Sequence, residues 1–382
     1  MCRSFPPLFR IGNSTASSSS ILNYVTTGRN VPLAHFGLAP GACYDAGQML
    51  FHFLLYLALA LTVKAKTLDI YFIDVEGGQA TLVVSPSGQA MLIDTGWRGF
   101  GGRDADRIAA AAKHAKIKEI NYVVVTHYHR DHVGGVPQLA GLLKVGAYVD
   151  HGPSVETGNK VVREDFADYQ KAITGAQHIV VKPGDVIPLK GVNVDVLSSA
   201  GDLFQKAQPG AGSPNPLCDA AKPKEEDLTE NARSVGMLIS YGKFRMLDLG
   251  DLTWNKELGL VCPNNLIGKV DLYLTTHHGF NESGPAALVQ AVAPRVAIMN
   301  NGSKKGGSPS AWQIVKDSPG LEDLWQLHYA MDGGRDHNVP DSFIANVDEF
   351  DQGDYLKVSA EQDGSFTVFN SRNKYHHEYR AK

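Results

Sequence analysis

His127-Tyr128-His129-Arg130-Asp131-His132 puts three imidazoles and a carboxylate within six consecutive residues. In extended backbone, side chains two apart point the same way, so His127 and His129 can grip one ion. Where the chain begins to turn, Asp131 and His132 swing to a neighbouring point that suits a second ion. Imidazole together with carboxylate favours zinc, iron or manganese. A lone His-x-His is common on surface loops, but the full pattern at a strand end, closed by Gly134-Gly135, reads as a metal motif.

The elements that must carry these groups are legible on either side. Tyr122 to Val125 is a buried-strand run, and the glycine pair is a tight turn into a helix over 136–143. The same delivery recurs along the chain. A strand over 68–75 brings Asp74 to its end, and one over 90–96 brings Asp94. The strand 145–149 leads to His151, and 244–251 ends in Asp248 and Asp251, of which Asp251 after Gly250 is the better placed. The run 270–279 hands His277 and His278 into Gly279. Further strands are expected over 80–85, 179–181, 186–189, 192–197, 234–240 and 296–299, with a tail hairpin over 355–360 and 365–369. Helices are expected over 104–114, 163–174, 312–315 and 321–327. Strands feeding helices in two successive halves predict an α/β fold of two packed sheets with helices outside. Ligands for one site then converge from loops along a single edge.

The chain of 382 residues, 43% apolar and 20% charged, can bury a sizeable core. Its net charge is −4; residues 1–65 hold four of the 36 basic and one of the 40 acidic residues, leaving 32 against 39, a net −7 beyond them. A mildly acidic body is no electrostatic sponge for nucleic acid. No helix-turn-helix, zinc finger or basic stripe marks a nucleic-acid-binding module. Residues 1–48 are Ser-, Pro-, Gly- and Asn-rich without a sustained period, and little order is expected there. The apolar run 49–65 is short for a membrane span and ends in Val63-Lys64-Ala65, which reads as a signal peptide starting at Met49, or else a short anchor. The expectation is an exported, periplasmic or secreted protein with a single domain over 66–382. Cys218 and Cys262 fall within that domain and either pair or stay as separate thiols.

Taken together, Phe72-Ile73-Asp74-Val75 with Gly77-Gly78, Leu92-Ile93-Asp94-Thr95-Gly96, the stretch 126–135, Gly250-Asp251 and His277-His278-Gly279 resemble the metallo-β-lactamase superfamily. The opening Asp74-Val75-x-x-Gly78, the Asn231-x-x-Ser234 strand entry and the His-His-Gly ending are most similar to the branch that includes the metallo-hydrolase domain of competence-type DNA-uptake channels. The resemblance covers roughly residues 67–300 and implies an αββα sandwich of two mixed sheets flanked by helices, with one or two divalent ions at its edge. It puts His127 and His129 on a first metal, Asp131, His132 and His278 on a second, and Asp251 between them. His277 becomes a supporting residue or proton donor, unless it and His278 exchange roles. The family's third histidine for the first metal has no counterpart between Val192 and Asp251. His151 is the available substitute, with a structural role as its alternative. Asp74 and Asp94 become the acids that hold ligand histidines in the right tautomer.

The expected activity is metal-dependent hydrolysis by a metal-bound hydroxide, since a bound cation lowers the pKa of water from ~16 to ~7. Asp131 would orient it, and His277 or Tyr128 would assist the leaving group or oxyanion. Zinc is the first expectation for both ions, with manganese or iron as alternatives. The substrate is expected to be a small ester or a phosphodiester, met by loops 99–102, 198–229 and 303–308. The competing readings are a mononuclear iron thiol or persulfide oxidoreductase of the same fold and a β-lactam hydrolase.

Overall fold

A computed structural model of the chain describes residues 66–348 and 352–382. The expected extension over 1–48 and the signal segment over 49–65 lie outside the described residues. Strands β1 (Leu68–Phe72), β2 (Thr81–Val84) and β3 (Ala90–Ile93) form an antiparallel meander. Parallel strands β4 (Glu119–Val124), β5 (Lys144–Asp150) and β6 (Gln177–Val180) extend it. Between them run α1 (Arg103–His114), the short α2 (Arg130–Val133), α3 (Val136–Leu142) and α4 (Lys160–Ala172).

The second sheet comprises β7 (Asn193–Ser199), β8 (Asp202–Leu203), β9 (Gly236–Tyr241), β10 (Phe244–Asp248), β11 (Leu272–Leu274), β12 (Val296–Met299), β13 (Asp323–His328) and β14 (Ile344–Asn346). Helices α5 (Trp254–Val261), α6 (Ala286–Val292) and α7 (Pro309–Lys316) connect its parallel half. Strands β15 (Leu356–Ala360), β16 (Phe366–Asn370) and β17 (His376–Tyr379) then return to the first sheet. The sheet orders are β17-β16-β15-β1-β2-β3-β4-β5-β6 and β14-β13-β12-β11-β10-β9-β7-β8.

Period-two burial explains why both sheets are covered on both faces. Along β1, Ile70 and Phe72 enter the core between the sheets, against Met237, Ile239 and Met246. Tyr71 and the following Ile73 face the opposite way, onto Ile108 and Ala112 of α1. Leu247 and Leu249 do the same on the second sheet, beneath Leu260, Leu288 and Val315. The result is the αββα sandwich of two mixed sheets flanked by helices.

Two expected elements differ. Residues 321–327 were expected to be helical but contain strand β13, because Leu324 to Leu327 are buried on both faces between β12 and β14 and so show no alternation. The segment 186–189 was expected to be a strand and makes only one bridge, Val186 to Asp195. Cys218 and Cys262 form a disulfide, closing a 44-residue separation. Among the described residues, no helix is long and apolar enough to cross a membrane.

Candidate metal centre

The carboxyl ends of β3, β4, β10 and β11 come together at one edge, where each strand stops and its next residues turn inward. Past β4 come His127, His129, Asp131 and His132; past β10, Asp251; past β11, His277 and His278. Two close approaches make this possible. A Cβ on Gly78 would lie 2.4 Å from the carbonyl oxygen of Asp131, and one on Gly306 would lie 2.2 Å from that of His278. Only glycine lets these loops pack directly on the ligand-bearing turns. His277 and His278 both have φ 56°, and Asp94 has φ 59°. A left-handed conformation at a non-glycine residue costs on the order of 1–3 kcal/mol and collects at functional sites. Here it lets two adjacent residues aim their rings into one space.

His132 Nε2 lies 3.2 Å from Asp131 Oδ2, 3.2 Å from Asp251 Oδ2 and 3.2 Å from His278 Nε2. His278 Nε2 is 3.2 Å from Asp131 Oδ2 and 3.4 Å from Asp251 Oδ1. The donor atoms of these four residues all fall within 4.8 Å of one another. The other face of His132 is spoken for: Nδ1 donates to Asp94 Oδ2 at 2.7 Å, while Asp94 also accepts from the Thr126 amide and hydroxyl at 2.7 Å each. Nε2 of His132 is therefore left with a lone pair, pointed at another ring nitrogen and at carboxylate oxygens. Ligands at about 2 Å from a tetrahedral ion stand about 3.3 Å apart, so the spacing fits a bound divalent cation.

A second group of donors shares Asp251. His127 Nε2 lies 3.1 Å from His129 Nδ1 and 3.8 Å from Asp251 Oδ2, and His277 Nε2 is 3.5 Å from the same oxygen. Asp251 Oδ1 thus faces His278 while Oδ2 faces His127, His132 and His277, and Oδ1 has no hydrogen-bond partner despite its burial. That orphaned oxygen is a second sign that the pocket suits a cation.

The electrostatics agree. Burial works against charge on His132, but Asp251, Asp131 and Asp94 together raise it well above its ordinary 6.5. Those carboxylates call for positive charge at this point, which a divalent ion would supply. Burial works to raise Asp131, yet Lys305 and His132 hold it well below the usual carboxylate range. For Asp251 the same burial is outweighed by His132, His278 and His277. Burial and the neighbouring His132 push His127 well below 6.5, and burial lowers His277. Both rings are then neutral and able to ligate.

Three residues expected at the centre from the sequence take other partners. His151 was expected as a ligand, but its Nε2 pairs with Glu230 Oε2 at 2.9 Å, both groups being buried. Glu230 is pinned there by Ser154, the Val155 amide and the Tyr128 amide, so the imidazole serves that knot instead. Tyr128 was expected to assist catalysis, but its hydroxyl donates to the Gly152 carbonyl and its ring is buried against Phe166 and His151. Asp74 was expected to orient a ligand histidine; it instead accepts from His328 Nε2 at 2.6 Å and pairs with Arg107. Asp248, the alternative to Asp251, accepts from Gln79 Nε2 at 2.9 Å and the Gly250 amide at 3.0 Å, and burial pushes it up to about 6.

The sequence reading missed Glu156 and Lys305. Glu156 Oε2 meets His129 Nε2 at 2.8 Å, leaving Nδ1 of that ring toward His127. Lys305 Nζ donates to Asp131 Oδ2 and to the Gly77 carbonyl. No short motif surrounds either residue; only the folded chain brings them in.

A model described as the metallo-beta-lactamase superfamily matches residues 73–216. The match supports placement in that superfamily. Comparison with the curated proteins found no match. Among solved structures, the chain is similar to Tm1679, a metal-dependent hydrolase of the beta-lactamase superfamily, at 15% identity over 68% of this chain and 95% of that one, TM-score 0.39. It is similar to a possible metal-dependent hydrolase from Veillonella parvula at 11% identity, over 68% of this chain and 84% of that one, TM-score 0.34. It is also similar to CmlA, a diiron beta-hydroxylase from Streptomyces venezuelae, at 13% identity over 62% of this chain, TM-score 0.35. The chain spans about half the length of that protein, the overlap covering 45% of it. These overlaps are too loose to carry any site residue across.

Proposed function

We propose that this chain is a hydrolase with a two-metal centre, zinc in the first instance, acting on a phosphodiester or related ester. The observation that carries the reading is Asp251, one buried carboxylate within reach of four ring nitrogens, with His127, His132 and His277 on Oδ2 and His278 on Oδ1. In this reading Asp131, His132 and His278 hold one ion, and His127, His129 and His277 the other. His277 fills the position left without a histidine in the sequence, the one assigned to His151 there.

Bound divalent ions would bring a water pKa down to about 7 and polarise the oxygen under attack. The chain's own groups do the rest. Asp94 fixes the tautomer of His132, and Glu156 does so for His129, so that both rings present lone pairs inward. Asp131 accepts a hydrogen bond from the attacking water and sets its approach. Burial of the ligand carboxylates keeps competing solvent away from the reacting atoms. The phosphodiester preference rests on the resemblance to the competence-type branch. Export through the 49–65 segment belongs to the same reading, and the Cys218–Cys262 disulfide supports an oxidising compartment.

The test is turnover of bis-p-nitrophenyl phosphate, a lactone and nitrocefin by protein of measured metal content, with Asp131→Ala alongside. Hydrolysis that tracks two ions per chain and collapses in the variant supports the reading. One iron per chain with thiol oxidation would replace it.

A further inference from the structure

Lys305 is the cation at this centre that the ligand set does not account for. It sits on the loop after β12, where the Gly302 amide donates to the Lys305 carbonyl at 2.8 Å and the Gly307 amide to the His278 carbonyl at 3.0 Å. The loop is thereby tied to the backbone of the ligand turn itself. The ammonium spends one N–H on Asp131 Oδ2 and one on the Gly77 carbonyl at 2.6 Å. Its third N–H has no partner among the described residues, and about a quarter of the side chain is exposed, at 26%. The Trp97 ring lies 5.1 Å from Nζ, giving an apolar wall beside the charge.

The Asp131 oxygen that Lys305 touches is the one facing His132 and His278. A structural ion pair would have sufficed to neutralise Asp131 had that carboxylate no other cation to meet. As a ligand it has one, so Lys305 adds charge rather than balancing it. Two divalent ions are matched by the carboxylates of Asp131 and Asp251 together with Asp94 and Glu156, each held against a ligand imidazole, so Lys305 leaves one positive charge over. That charge beside an open N–H favours an anion. Lysine is suited to phosphate as a point charge with a rotatable donor.

We infer that Lys305, with Trp97 beside it, is an anion-binding residue of the centre that takes a non-bridging oxygen of a phosphoryl group, selecting anionic over neutral esters. The inference rests on the hydrolase reading for its catalytic meaning, but the binding it names can be measured alone.

The decisive experiment is calorimetric titration of the zinc-loaded full chain with inorganic phosphate, for the wild type, Lys305→Met and Lys305→Arg, with zinc content measured on the same samples. Loss of a charge-assisted hydrogen bond predicts about 10- to 100-fold weaker phosphate binding in Lys305→Met. Lys305→Arg should stay within about threefold of the wild type, because charge is kept. Zinc content should be equal in all three, and the ratio of kcat/KM for bis-p-nitrophenyl phosphate over p-nitrophenyl acetate should fall in the methionine variant. Unchanged phosphate affinity in Lys305→Met overturns the inference, and so does a loss of zinc in that variant, which would make Lys305 a brace for Asp131. Phosphate binding that depends on Lys305 in a protein that hydrolyses nothing would leave the anion site standing and remove the hydrolase reading instead.

Discussion

Asp74 and Asp251 are both buried carboxylates with histidine against them, yet they keep different company. Around Asp74 the acids Asp74 and Glu76 share His328 and Arg107, with Arg107 Nη1 donating to the Asp74 carboxylate and its carbonyl. That knot brings its own guanidinium, a permanent cation that no pH change removes. Around Asp251 the partners are four imidazoles, two of them with their Nε2 atoms facing each other at 3.2 Å. Facing lone pairs repel unless a proton or a metal ion stands between them. Spatial clusters of acid and histidine are therefore not alike: the one closed by arginine braces the fold, and the one in which ring nitrogens crowd Asp251 could hold a metal.

Glu257 shows a third way to neutralise a buried acid. It accepts from the Gly284 amide at 2.7 Å, its Oε1 has no partner, and burial pushes it up to about 8. It holds a proton where Asp74 holds arginine.

This comparison breaks most visibly at Asp251. Asp251→Asn should drop zinc from two per chain to one or none and lower hydrolysis on the order of 1000-fold, read by elemental analysis and steady-state kinetics. Arg107→Met should do the reverse. It removes the permanent cation from the buried Asp74, leaving His328 and the Glu76 amide, and costs about 3 kcal/mol in chemical denaturation, with zinc content unchanged. Loss of zinc in that variant would erase the distinction between the two clusters.

Asp94→Asn tests the tautomer of His132 at smaller scale. The account expects about 10- to 100-fold weaker zinc binding by competition with a chelator, with the fold intact. Glu257→Gln sharpens the third case. An unfolded glutamate ionises near 4.5, while the folded one keeps its proton until about 8, so the unfolded state binds fewer protons across that window. Stability of the wild type should then fall by about 1.4 kcal/mol per pH unit there, and the glutamine variant should lose that slope. Denaturation at pH 5 and 7.5 reads both.

What the sequence shows of the centre is the part encoded locally. His127, His129, Asp131 and His132 announce themselves because they lie within six consecutive residues, and His278 because a strand delivers it into Gly279. Glu156, Glu230 and Lys305 stay silent, since each acts on a residue 27 to 174 positions away with no pattern around it. His151 misled for the same reason: its position after β5 is visible, but Glu230, which claims it, arrives 79 residues later. The sandwich itself is legible from alternation and strand-end acids. Strand β13 is not, because a strand covered on both faces loses the period that would distinguish it from a helix.

The most direct measurement is zinc titration of metal-stripped protein by calorimetry, wild type against Asp251→Asn. The account predicts two ions per wild-type chain, with both affinities weakened in the variant because one carboxylate serves both. A single ion in the wild type, or two ions bound undiminished by the variant, would contradict it.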